Sequence, residues 1–320
     1  MRARPPGVAG TDARRRAVFA AALQQSEELF LASAAVGPAS KPLPLFYALS
    51  QAGRAIAAAH NPKNSWQIRT HGLTVVGQGD GIATTLLRPK ARKDRSDAFS
   101  SVADALGSEC LKGPVTLAAL WAALPELATF PHLAKGALPA LEITPEGTHP
   151  TFLPALQPAL GSIIVPDVGD LEELETYLSL YARTAGWEHV AGPLRVGRVA
   201  HFTLRWLAGG SSEEEARPAA LRPLRDIAIP FDRRWFLQPR LGEPPTAPNP
   251  LLVWWALLIA LSSVARYHPA EWTAALNVDA AETAVELEEG IAIAQRRLPE
   301  MLAEALERGA PLGHRVAQAL

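Results

Sequence analysis

From Leu251 to Ala265 the chain runs fifteen residues without a charge, Leu-Leu-Val-Trp-Trp-Ala-Leu-Leu-Ile-Ala-Leu-Ser-Ser-Val-Ala, and then meets Arg266. Such a run has to be buried, in lipid or in protein. At ~1.5 Å per residue a helix of this length reaches roughly 22 Å, short of the ~30 Å hydrocarbon core of a bilayer. Two serines interrupt it and an arginine closes it, so a core helix is expected and no membrane contact. About two hundred residues earlier lies a second apolar segment, Leu43 to His60, which carries Arg54. A guanidinium on an apolar helix needs an anion or a set of acceptors. If the two helices share one core, Arg54, Arg266 and the histidines near them mark a polar site.

Composition permits that core. The 320 residues are 48% hydrophobic and 20% charged, enough for one large domain or two. A formal net charge of −1 gives no global pull toward nucleic acid or acidic lipid, so any such binding must be local. The one cysteine, Cys110, excludes an intrachain disulfide framework and fits a reducing, cytoplasmic setting. No apolar stretch follows the arginines of residues 1–16, and Pro5-Pro6-Gly7 reads as a loose tail.

Along the chain, helical spacing of Val18/Phe19, Ala22/Leu23, Ser26 and Leu29/Phe30 predicts a first helix from near Asp12 to Ala35. A second follows Lys41-Pro42 and ends at Asn61-Pro62, and the short connection favours an antiparallel pair. Small residues at Ala52, Gly53, Ala55 and 57–59 allow a neighbour to approach closely. Leu73–Val76 and Ile82–Leu87 then flank a glycine-rich turn, a β-hairpin pattern. Short helices are expected at Ser100–Leu106 and Thr116–Leu124. Strand-like pieces, Ala140–Ile143, Ile163–Val165 and Ala200–Trp206, surround a helix from Leu171 to Arg183 capped by Asp170. A long amphipathic helix runs from Val285 past Pro299 to Leu306.

The fold expected is α+β, mainly α: a helical bundle made from both ends of the chain with an α/β region inserted. Its divisions are a flexible tail at 1–12, the first part of the bundle with its hairpin at 13–125, the α/β insertion at 126–248, the second part of the bundle at 249–308 and a C-terminal tail at 309–320.

Several residues are candidates for chemistry. Tyr47, Ser50 and Arg54 share one face of the second helix, where the arginine fork and two hydroxyls suit a phosphate. The structural alternative is an ion pair with a carboxylate of the bundle. Ser262 lies one turn before Arg266, with His268 at the helix end, where a cation is also favoured by the backbone dipole alone. His60 closes the second helix, and His71 precedes a strand. The basic run Arg88, Lys90, Arg92, Lys93 and Arg95 has no interleaved aromatic residue and reads as a solvated loop. Gly77-Gln-Gly-Asp-Gly81 is followed by strand-like sequence, not by a helix, which rules out a dinucleotide or P-loop fingerprint. No histidine and cysteine spacing suits zinc, no nucleophile elbow is present, and no metal or cofactor is expected.

Phe46-Tyr47-Ala48-Leu49 with Arg54, His71-Gly72-Leu73, the run Leu117–Leu127, and Leu261-Ser-Ser-Val-Ala-Arg-Tyr-His-Pro269 with Trp272 occur in an order that resembles the YaaC-like bacterial proteins, over roughly residues 20–308. The helical part of that family is similar to HEPN domains, bundles found in toxins and defence-associated ribonucleases. The resemblance implies an arginine and a histidine four to six residues apart, usually across a dimer interface. Arg54 and His60 have that spacing but lie on the second helix, and Arg266-Tyr267-His268 is shorter than the motif. The function expected is therefore a non-catalytic interaction or anionic-ligand-sensing protein that meets a protein partner, an RNA or a nucleotide-like anion. The alternative is a metal-independent, homodimeric ribonuclease of bacterial defence, with catalytic candidates Arg54, His60, Arg266 and His268. Ligand-binding candidates are Tyr47, Ser50, Arg54, His71, Ser262 and Arg266.

Overall fold

A computed structural model describes residues 2–63, 66–77, 81–90, 93, 95–145, 159–182, 187–206 and 228–308. The protein is α+β, and its described residues hold eight α-helices and two antiparallel sheets. They divide into two compact units, one built from Met1–Leu138 with Leu241–Leu320 and one from Pro139–Arg240.

The first unit begins with α1 (Ala13–Ala34), whose N-cap Asp12 accepts the Arg15 N–H at 2.9 Å. Next comes α2 (Pro42–His60), which starts on a proline and stops before Pro62. Arg15, in the first turn of α1, donates to the carbonyls of Ala58 (3.3 Å), Asn61 (2.7 Å) and Lys63 (3.2 Å). Those acceptors lie at the end of α2, so the two helices are antiparallel. Its guanidinium also stacks on Trp66 at 4.8 Å, and burial holds the Arg15 pKa below the ordinary arginine value.

A three-stranded sheet, in the order β1-β2-β3, follows: β1 (Leu73–Val75), β2 (Leu86–Pro89) and β3 (Val115–Thr116). The second arm of the hairpin starts later than the sequence predicts. Ile82–Thr84 forms one 3₁₀ turn, because the Thr84 N–H and hydroxyl both donate back to Gly81 and the Thr85 N–H to Ile82. Positions 78–80 of the glycine-rich turn lie outside the described residues. α3 (Ala98–Leu106) is capped by Asp97 and α4 (Leu117–Ala122) by Thr116.

The Leu251 segment becomes α6 (Pro250–Tyr267), capped by Asn249. It is long and apolar enough to cross a membrane, but 72% of it is buried inside the protein. Its Trp255 ring fits against Gly53 of α2, in the notch that the run of small residues leaves. A short α7 (Pro269–Ala275) that periodicity does not reveal comes next, and then α8 (Ala284–Arg308), which carries Pro299 inside it. Trp121 packs against Gly290 of α8, and Trp121, Trp254, Trp255 and Trp272 are all fully buried.

The second unit is a six-stranded antiparallel sheet in the order β6-β7-β5-β4-β9-β8. Its strands are β4 (Leu141–Pro145), β5 (Ala159–Pro166), β6 (Trp187–Val196), β7 (Val199–Trp206), β8 (Ile229–Phe231) and β9 (Arg234–Leu237). α5 (Leu171–Ser179) is capped by Asp170 as expected, ends earlier than Arg183, and buries Leu174 and Leu178. The tail expected at 309–320 lies outside the described residues.

Candidate functional site

Three elements of the first unit enclose a cleft of about 400 Å³. The start of α2 gives Leu43, Phe46 and Tyr47; His71 and β1 give a second wall; the last turns of α6 give Ile259, Ser262 and Arg266, followed by Tyr267 and His268. One side of the cleft is apolar and aromatic. The other carries Arg266 and His268, whereas Arg54 does not line it.

Arg266 is held at two points. Its Nη1 donates to the Tyr47 hydroxyl at 3.0 Å, and its guanidinium lies 4.3 Å over the Tyr267 ring. Arg54, half-buried on α2, donates from Nη1 to the Ile68 carbonyl at 3.0 Å. Among the described residues neither arginine is ion-paired with a carboxylate. The internal ion pair that is the structural alternative for Arg54 is therefore not what the geometry contains, while Arg266 does lie in the last turn of α6, where the backbone dipole favours a cation.

His71 lies at the rim of the same cleft. Its ring packs 5.3 Å from Phe46 and opens to solvent at the cleft rim. Partial burial, then the charge of Arg54 and then that of Arg266, hold its pKa below the ordinary histidine value. The imidazole is consequently neutral at pH 7 and can accept a proton. The turn that presents it is fixed: Gly72 has φ +83° and the Asp97 carboxylate abuts it, so a side chain there has neither the backbone nor the room.

The other candidates divide. Ser262 lines the cleft, with its hydroxyl donating to the Ile259 carbonyl at 3.1 Å. His268 lines it too, exposed, its Nδ1 4.0 Å from Glu271. Ser50 is buried and does not line it. His60 lies elsewhere: its Nε2 is 2.8 Å from the Leu306 carbonyl of α8, and its ring abuts Gly7. Arg54 and His60, though suitably spaced in sequence, thus turn to different partners. In the basic run, Arg88 and Lys90 are exposed, whereas Arg95 is tied to both Asp104 oxygens at 3.0 Å and to the Cys110 thiol, which raises its pKa. Arg92 lies outside the described residues. Among the described residues no group of three or more histidine, cysteine or acidic side chains could hold a metal ion.

The segments that form this cleft, from Phe46 through His71 to Arg266, are those whose order in the sequence carries the likeness. The YaaC-like protein family matches residues 9–306. The chain belongs to that family. No curated protein and no solved structure matches it. In this YaaC-like chain the sequence had pointed to Tyr47, His71, Ser262 and Arg266, but not to the apolar wall of Leu43, Phe46 and Ile259. Those side chains look like ordinary core residues until the cleft beside them is seen.

Proposed function

We propose that this YaaC-like protein is a non-catalytic, cytoplasmic interaction or ligand-sensing protein whose cleft takes an anionic group. One observation carries the reading: Arg266, held by the Tyr47 hydroxyl and paired with no carboxylate among the described residues, lines the same cleft as His71 and His268. A guanidinium that opens on a cleft without a counter-ion favours an incoming anion. A cleft of this size suits a small ligand or the end of a chain, with Phe46 and Tyr47 beside its apolar part. Isothermal titration with inorganic phosphate, acetate and AMP tests it. Saturable binding of at least one is expected, weakened about tenfold or more by Arg266→Ala. Absence of binding by all three, at millimolar concentrations, removes them as ligands and leaves peptide carboxylates as the decisive probe.

A second reading, a HEPN-like bundle with metal-independent ribonuclease activity, has one observation in its favour: Arg266, His71 and His268 line the same cleft. A neutral histidine could take the 2′-hydroxyl proton while arginine stabilises the phosphorane. RNA cleavage in EDTA that His71→Ala or His268→Ala abolishes in a folded protein would favour it, and light scattering would report the dimer it entails.

A further inference from the structure

The wall of the cleft made by β1 is a strand edge. β1 is an outer strand of its sheet. Its bonds to β2 run through alternate residues: the Gly72 carbonyl accepts the Lys90 N–H at 2.8 Å, Thr74 faces Arg88, and the Val76 N–H donates to the Leu86 carbonyl at 2.7 Å. Antiparallel alternation then turns the N–H and C=O of Leu73 and Val75 away from β2. Among the described residues no strand pairs on that side. Leu73, Thr74 and Val75 all line the cleft. Consecutive residues do so where a strand presents its edge, because a face presents only every second one. The edge also lacks the lysine, proline or bulge that usually blunts one.

We propose that the cleft captures the carboxy-terminal end of an extended peptide, which adds as a fourth strand to the free edge of β1 with its carboxylate between Arg266 and His71. The proposal rests on the anion-binding reading and names the anion. A free phosphate is too compact to meet the outward N–H and C=O groups of both Leu73 and Val75, which are spread along the strand. An extended peptide answers donors and acceptors alike, at the ~7 Å repeat of two residues. Leu43, Phe46 and Ile259 offer its last side chains an apolar wall. The charge fixes the direction. His71 precedes β1 by two residues and shares the cleft with Arg266, so the carboxylate sits at the beginning of β1 and the peptide runs antiparallel to that strand.

The test uses the full chain, immobilised, and a pool of hexapeptides randomised at the last three positions, offered as free acids, as C-terminal amides, and as free acids N-methylated at alternate peptide bonds. Bound peptides are read by mass spectrometry. Retention of the free acids is expected, with about tenfold or greater loss for the amides and for the N-methylated set. Arg266→Ala should lose the preference for acids. Val75→Pro removes an outward N–H without touching the ladder to β2, and it should weaken every free acid while circular dichroism stays unchanged. Phosphate or AMP binding without peptide retention overturns strand addition and leaves an anion site. Retention of acids and amides alike, or of the N-methylated set, also overturns it. If peptides, phosphate, acetate and AMP all fail, the anion-binding reading falls with it.

Discussion

His71 is the cleft histidine whose pKa is held below the ordinary value. Arg54 and Tyr47 of α2, Arg266 and His268 at the end of α6, and Asp97 before α3, which abuts Gly72, are the charged and titratable groups around it, and two of them are permanent cations. Its folded pKa is depressed, so the unfolded chain binds the proton more readily than the native one. The sign follows: native stability is unaffected above the unfolded histidine pKa of ~6.5 and is lost as pH falls below it toward the folded value. Urea midpoints at pH 7.5 and 5.5 should fall further for the wild type than for His71→Asn. An anion between Arg266 and His71 reverses the balance by favouring imidazolium, so anion binding should strengthen as pH drops over the same interval. Titration calorimetry that gives a flat profile in the wild type, or the same slope in His71→Asn, would sink this account. Arg54 and Arg266 were legible in the sequence, since a guanidinium on an apolar helix is conspicuous. That Arg266 shares a cleft with Tyr47 and His71 was not, because it depends on the packing of distant segments.

At the scale of elements, the α2–α6 contact is decided by Gly53. In an isolated helix Gly→Ala stabilises by ~1 kcal/mol. Here an added Cβ would overlap the Trp255 ring and press on Val102 Cγ2 at 3.0 Å. Gly53→Ala should therefore destabilise by about 1–3 kcal/mol in urea unfolding, despite its better propensity. Gly37→Ala, which meets nothing within 4 Å, is the control and should stay within about 0.5 kcal/mol. Equal behaviour of the two variants would mean that the ring moves aside without cost. The run of small residues announced this close approach in the sequence but not its partner. Helix limits were legible because they are set locally, by Asp12, Pro42, Pro62 and Asp170. β6 was not: nearly all of it is exposed and Pro193 interrupts it, so it has no apolar alternation to read. Ile82–Thr84 misled because β-branched residues stand where turn bonds to Gly81 prevail.

For the molecule as a whole, the first unit is assembled from both ends of the chain, and its core cannot close until the second end arrives. Trp255 of α6 fills the notch at Gly53, and Gly290 of α8 receives Trp121. At the start of α8 the buried Glu286 accepts the N–H groups of His132 (3.0 Å) and Leu133 (2.8 Å), with the His132 ring at 2.8 Å. A chain ending at Leu138 would keep α1 to α4 yet leave the α2 notch empty, Trp121 uncovered and two N–H groups without their carboxylate. Local helix signals would survive and fixed packing would not. Such a chain should show helical far-ultraviolet dichroism, weak near-ultraviolet signal and bound hydrophobic dye, without a cooperative urea transition. Adding residues 241–308 as a separate chain should restore both the transition and the near-ultraviolet signal, since it supplies the missing surfaces. A sharp, two-state transition in the shorter chain alone would show that α1 to α4 form a core without α6 and α8. The cleft, which takes one wall from α6, would then be laid onto a finished domain instead of being created by its completion.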